Sequence, residues 1–253
     1  MPKFVGRTVP IELANFTRKS SSVGVFHRFG DAAIIPQANL AGLVSFYDFS
    51  VGSDGAEKVV SAIPSASGKG AYVFTSIGRV IRTGDATSIT DSNGRENLLW
   101  IPRLNSPIVD ARLTDTGTGY WLLAADGGIF SFGDAYFSGA VPDYPIAQWR
   151  NEEIISFSPD TDGRGYVVVA KSGRAWWFDH PVRQQLPDIL QAAFGSPHLN
   201  APIAGVVSRK CGGYMMIAED GGVFATPLSD CAFQGSLGAT PPNTAIVALT
   251  PID

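Results

Sequence analysis

Short apolar runs alternate along the chain with clusters of glycine, aspartate, serine and proline, and these runs read as β-strands bounded by turns. In the clearest stretch, Gly119-Tyr120-Trp121-Leu122-Leu123-Ala124 leads through Ala125-Asp126-Gly127-Gly128 into Ile129-Phe130-Ser131-Phe132-Gly133-Asp134-Ala135. Asp-Gly between two apolar runs is a hairpin signal, because glycine accepts the positive φ of a tight primed turn. Helical periodicity is nearly absent, and Pro187 to Phe194 alone predicts a short helix or turn.

The pattern repeats. Gly165-Tyr166-Val167-Val168-Val169-Ala170 and Gly213-Tyr214-Met215-Met216-Ile217-Ala218 each precede a Gly-containing turn and a second strand, and a weaker copy begins at Ala71-Tyr72-Val73-Phe74. The tyrosines at 72, 120, 166 and 214 are 48, 46 and 48 residues apart. Upstream of each lies a further short strand: 58–62, 107–111, 153–157 and 202–206. With a fourth short strand around Tyr136 to Ala140, each unit predicts a four-stranded propeller blade, which takes about forty to fifty residues. The units run 57–106, 107–151, 152–201 and 202–243. Residues 244–253 repeat the opening strand of a unit, and Gly24 to Ala32 resembles Gly128 to Ala135 with one extra residue. A closing blade from 244–253 plus 10–35 removes two unpaired sheet edges. The fold class expected is therefore all-β, a five-bladed β-propeller with a composite N- plus C-terminal blade over 22–253. Six blades is the alternative count, since residues 36–56 fit the repeat least. An open solenoid would need polar capping repeats, and a sandwich does not explain the period. Residues 1–21 form an arm whose Ile11 to Phe16 either joins the composite blade as a strand or leaves Met1 to Val9 to reach a neighbouring subunit.

At 253 residues and 45% hydrophobic content, the chain is long enough to bury one substantial core. A formal net charge of -4 argues against nucleic-acid binding, which needs a basic face. No apolar run approaches membrane-spanning length, and Met1 to Arg7 lacks the apolar core of a signal peptide. The expectation is no membrane insertion, synthesis in the cytoplasm and release without a leader.

The segment Gly119 to Ala140, above all Ala125-Asp126-Gly127-Gly128-Ile129-Phe130-Ser131-Phe132-Gly133-Asp134-Ala135, resembles a propeller-type repeat of actinobacterial surface proteins and of tail proteins of their phages. The resemblance is close in one unit, partial in three and absent from 36–56. It implies a binding or scaffolding role at a virion or extracellular surface and brings no catalytic residues. The partners it implies are other virion or surface proteins, further copies of the chain, or a host cell-envelope glycan. The missing leader favours the virion.

Candidate chemistry is sparse. If the upstream strand is innermost, Ser61, Asp110, Ser156, Gly205 and Ala248 share one channel-lining position, and all are small. A glycosidase would need two facing carboxylates, and this ring offers Asp110 alone. Asp31, Asp85 and Asp134 each follow a glycine at a strand end, where such side chains cap turns, and Asp126 and Asp220 sit in hairpins. His27, His180 and His198 show no ligand spacing, so neither metal nor cofactor is expected. Cys211 and Cys231 flank one hairpin and either form a disulfide, worth about 3 kcal/mol in the chain-entropy model, or remain free thiols. Phe130, Phe132, Trp176, Phe178 and Phe224 read as packing between blades. Trp177 occupies the slot held elsewhere by Ser131, Ala225, Arg82 and His27, so it fills a local gap or forms an exposed platform. Tyr136, Tyr144, Trp149 and Arg150 form a second candidate binding cluster. The expected function is non-enzymatic binding, with a lectin-like glycan binder as the alternative and a glycosidase as the third reading.

Overall fold

The computed structural model describes residues 27–29, 32–36, 57–67, 69–160, 163–179, 199–209, 213–225, 235–243 and 245–251. The expected helix at Pro187–Phe194, the arm 1–21, residues 37–56, Asp31, His180, His198, Cys211 and Cys231 lie outside them.

The described chain is all-β, with strands β1 (His27–Phe29), β2 (Ala32–Pro36), β3 (Val59–Pro64), β4 (Ala71–Thr75), β5 (Val80–Thr83), β6 (Ile108–Leu113), β7 (Gly119–Ala124), β8 (Ile129–Gly133), β9 (Ile154–Pro159), β10 (Tyr166–Ala170), β11 (Ala175–Phe178), β12 (Ile203–Ser208), β13 (Tyr214–Ala218), β14 (Val223–Ala225) and β15 (Ile246–Pro251). Two single 3₁₀ turns, Val141–Asp143 and Ile146–Gln148, are its helical content. Four consecutive three-stranded antiparallel sheets form from β3-β4-β5, β6-β7-β8, β9-β10-β11 and β12-β13-β14. A further sheet has the order β1-β2-β15, joining strands from the two ends of the chain. Its connectivity is inverted: the N-terminal hairpin runs from the edge strand to the middle one, whereas the other sheets run from middle to edge.

The first strands of the units, β3, β6, β9, β12 and β15, lie side by side in that order. Each carries one extra residue against its partner: Val60, Val109, Ile155, Ala204 and Val247 respectively. Such a bulge bends the strand and re-aims the next side chain. Its recurrence at one register position shows that the units share a backbone as well as a sequence pattern.

The cores lie between sheets, and this is why the middle strands are apolar on both faces. Tyr120, Leu122 and Ala124 of β7 pack toward the first sheet, while Trp121 and Leu123 pack toward the third. On β10, Tyr166, Val168 and Ala170 face the second sheet, and Val167 and Val169 face the fourth. Strand β13 repeats the division, with Tyr214, Met216 and Ala218 on one face and Met215 and Ile217 with Ile246 on the other. Successive side chains of a strand point to opposite faces. A middle strand sandwiched between neighbours therefore reads as a continuous hydrophobic run.

Three expectations need correction. The tyrosines do not form one column: Tyr72 pairs with Arg82 as Trp121 does with Ser131, so Ala71 takes the place of Tyr120. The units keep step through their turn glycines, and Tyr72 stands one residue late. No fourth strand forms at Tyr136 to Ala140; instead Ser138 N–H donates to the Tyr166 hydroxyl at 3.1 Å and Val141 N–H to Gly127 O at 3.0 Å, tying the segment to its neighbours. The hairpin turns are not primed. Ala124 N–H bonds Gly128 O and Gly127 N–H bonds Ala124 O, with positive φ at Gly127 alone, and Gly78, Gly173 and Gly221 repeat this geometry. That is a three-residue loop closed by a left-handed glycine, whose bulge matches the strand twist.

Candidate functional site

Ser61, Asp110, Ser156, Gly205 and Ala248 occupy one register position, immediately after the bulges. Ser61, Asp110 and Ser156 are buried, and their polar atoms bridge neighbouring first strands. Ser61 Oγ donates to Ala111 O at 3.4 Å. Asp110 Oδ1 accepts Ala111 N–H and Arg112 Nη1–H, both at 2.8 Å. Its Oδ2 accepts Ser156 Oγ–H at 2.8 Å and Phe157 N–H at 3.3 Å. Arg112 Nη2 also donates to Ser156 Oγ, and the guanidinium carbon lies 5.4 Å from the Phe157 ring centre. Burial pushes the Asp110 carboxyl above its ordinary range, opposed by Arg112 and the Ser156 hydrogen bond. Burial likewise pulls Arg112 down, against the pull of Asp110. A carboxylate already holding four donors has no oxygen directed at a substrate, so this cluster is a strap between two sheets.

The aspartates after the third strands do a second structural job. Asp134 accepts hydrogen bonds from the hydroxyls of Thr114 and Thr118, each at 2.8 Å, and from Thr116. Asp85 accepts from Ser65 at 2.8 Å and from Ser67. Each carboxylate thus latches the end of an outer strand to the loop joining the first two strands. Hydrogen bonds from Ser67 and Ser65 hold Asp85 below the usual carboxylate range. At Asp134 desolvation pushes upward, but the three threonine hydroxyls outweigh it and leave the carboxyl lowered. Asp126 and Asp220 accept the N–H of Gly128 and Gly222, bracing their own turns.

Trp177 is a correction to the platform expectation: it is 8% exposed, packed in the layer between the third and fourth sheets, with its ring edge-on to Tyr214 at 4.9 Å. Phe132, Trp176 and Phe178 are buried between sheets, with Phe130 and Phe224 partly buried against the same layers. The proposed exposed cluster divides. Tyr144 and Trp149 are half-buried: the Tyr144 hydroxyl donates to Trp177 O at 3.1 Å and Trp149 Nε1 to Tyr144 O at 3.0 Å. Arg150 is exposed beside them. Tyr136 stands apart, 57% exposed, its carbonyl accepting Trp121 Nε1–H at 2.8 Å.

The connections between sheets carry the large exposed apolar side chains Leu99, Trp100, Tyr136, Phe137 and Ile146. Leu99 and Trp100, together with exposed Ile77, were not singled out by the sequence reading. Aligning the connections on the turn glycines rather than the tyrosines would have exposed them.

No family model matches the chain and no curated protein matches it. Among solved structures it is similar to the β-propeller domain of Cps50 (Swd1) from Myceliophteria thermophila, with 14% identity and a TM-score of 0.40 over 67% of this chain. The chain spans half the length of that structure, covering 50% of it.

Proposed function

We propose that this chain is a five-bladed β-propeller, its last blade built from both termini, acting as a non-enzymatic binding or scaffolding module at a virion or cell surface. The ring is supported by the recurring sheet, the repeated bulge and the side-by-side order of the first strands. Ile108, Ile203 and Ile246 begin their strands by donating N–H to Ser76 O, Lys171 O and Glu219 O of the preceding unit, so β15 joins its neighbour as β6 and β12 do. The observation that carries the binding reading is the division of labour between interior and rim. The buried carboxylates of Asp110 and Glu57 are occupied by structural partners, whereas large apolar side chains in the connections face solvent. The surface reading draws on the resemblance of Gly119 to Ala140 to surface and phage-tail repeats. The slot of Arg82, Ser131, Trp177 and Ala225 differs from unit to unit and its one aromatic, Trp177, is buried between sheets, so it offers no repeated sugar pocket.

The test is sedimentation of the purified chain with isolated actinobacterial envelope and, separately, with assembled phage particles. Retention that free sugars do not reverse supports the proposal. Release by soluble envelope oligosaccharides would establish the lectin alternative, and turnover of chromogenic glycosides would overturn the non-enzymatic reading.

A further inference from the structure

In the three units where this part of the following connection is described, the chain crosses toward the next sheet through the same device. An aliphatic residue sits on the turn glycine and donates its N–H to that glycine's carbonyl: Leu98 to Gly78 at 2.9 Å, Val141 to Gly127 at 3.0 Å and Leu237 to Gly221 at 2.9 Å. A four-residue turn follows each time, closed by Ile101 N–H to Leu98 O, Tyr144 N–H to Val141 O and Thr240 N–H to Leu237 O. The two tip residues are Pro142-Asp143 in one unit and Gly238-Ala239 in another, which is ordinary turn chemistry. In the first unit they are Leu99 and Trp100, 44% and 52% exposed. The backbone evidently makes this turn without large apolar side chains.

A second departure adjoins it. In the hairpin loop next to the turn glycine the siblings place Asp126, Ser172 and Asp220, each accepting the N–H two residues on. The first unit has exposed Ile77, and the matching N–H of Arg79 goes to Thr75 Oγ1 at 3.2 Å. Ile77 precedes Gly78, on which Leu98 rests, so the two apolar tips are adjacent. The Leu99–Trp100 tip is held from both sides: Leu98 is buried, Ile101 packs on the core, and Leu99 N–H bonds Asn97 Oδ1 at 3.0 Å.

The charge around this tip leans positive, with Lys58, Arg79, Arg82, Arg95 and Arg103 against Glu57, Asp91 and Glu96, and the backbone N–H and charge of Arg95 both help lower the Asp91 carboxyl. Glu57 pairs with Arg79 and Glu96 with Arg82, while Asp91 accepts the N–H groups of Asn93 and Arg95. No salt bridge among the described residues takes up the exposed cations Lys58, Arg95 and Arg103. Arg95 instead lies over the Trp100 indole, its guanidinium carbon 3.9 Å from the ring centre. Tryptophan and arginine on a rigid tip are the composition of an interface anchor. Flanking isoleucine and leucine offer no donor or acceptor to sugar hydroxyls.

We propose that Ile77, Leu99 and Trp100, with Arg95, form a protein-docking tip on the first unit, whose occupant is a partner segment presenting an apolar side chain flanked by carboxylates. The inference rests on the chain being a binding module, not on its ring being closed. The probe is a random peptide library panned against the immobilised whole chain. The control is the variant Leu99→Gly/Trp100→Ala, which installs the Gly238-Ala239 tip, and thermal melting verifies that it folds as the parent does. Selected peptides should carry a large apolar residue beside Asp or Glu, and the variant should bind them about thirtyfold more weakly, as for loss of an interface anchor. Asn200→Ala, at an exposed polar position just before β12, should bind them unchanged. Failure to enrich such peptides, or equal binding by the variant, overturns the proposal. So does quenching of tryptophan fluorescence by envelope oligosaccharides in the parent alone, which assigns the tip to glycan. A parent dimer in light scattering that the variant loses overturns it in favour of a second copy. Envelope or virion retention that survives the variant while peptide selection fails would leave the binding module standing and remove only this site.

Discussion

Asp110 and Arg112 form a buried ion pair at 2.8 Å between two sheets, and its physics is asymmetric. Removing one partner leaves a charge without solvent or counter-charge, whereas replacing both with residues suited to the site is nearly neutral. The first unit supplies the replacement, because Ser61 and Ile63 hold the same register positions. Arg112→Ala should therefore cost about 3–5 kcal/mol in urea unfolding, while Asp110→Ser/Arg112→Ile should lie within about 1 kcal/mol of the parent. A double variant as unstable as the single one would sink this account. Asp110 was visible in the sequence because a repeat alignment shows a carboxylate among small residues. Arg112, its partner, was not singled out. Their common face toward Ser156 and Phe157 depends on which strand lies alongside, and alignment within a unit carries no such information.

At the scale of the element, the turn glycines prove more informative than the tyrosines. Gly127 has φ +81°, and a Cβ there would stand 2.4 Å from Val141 Cβ. Gly127→Ala thus combines left-handed strain with displacement of the residue that starts the crossing to the next sheet, and should lower stability by about 2–4 kcal/mol. Gly94→Ala is the matched control, with φ +75° and nothing within 4 Å of the added methyl, and should cost only about 1 kcal/mol. Equal losses in thermal unfolding would show that the contact with Val141 contributes nothing. The strands themselves were readable because apolar runs bounded by glycine have few other structures. The face of Tyr72 was not, since a one-residue slip in register turns a side chain to the opposite side of the sheet. The missing fourth strand has a similar cause: Tyr136 to Ala140 has strand-like composition, but its backbone groups bond the flanking units.

At the scale of the whole molecule, β15 completes a sheet that the N-terminal hairpin begins, and lies against β12. Deleting residues 246–251 removes that pairing together with buried Ile246, and bares the β2 edge. Stability should fall by at least about 3 kcal/mol, with self-association through the new edge, and a peptide spanning 244–253 should restore the parent melting temperature. A truncated chain that melts within a few degrees of the parent would make β15 peripheral. The order of amino acids alone dictates the three strands of each unit, the places of the hairpin turns and the period, because these follow from local backbone preferences and from alternation of side chains. Which sheet neighbours which, which acid is neutralised by which base, and which apolar residues stay in water follow only from the folded arrangement. Those properties depend on contacts between segments about fifty residues apart along the chain, and a linear pattern repeated in every unit cannot distinguish a side chain buried by its neighbour from one left at the rim.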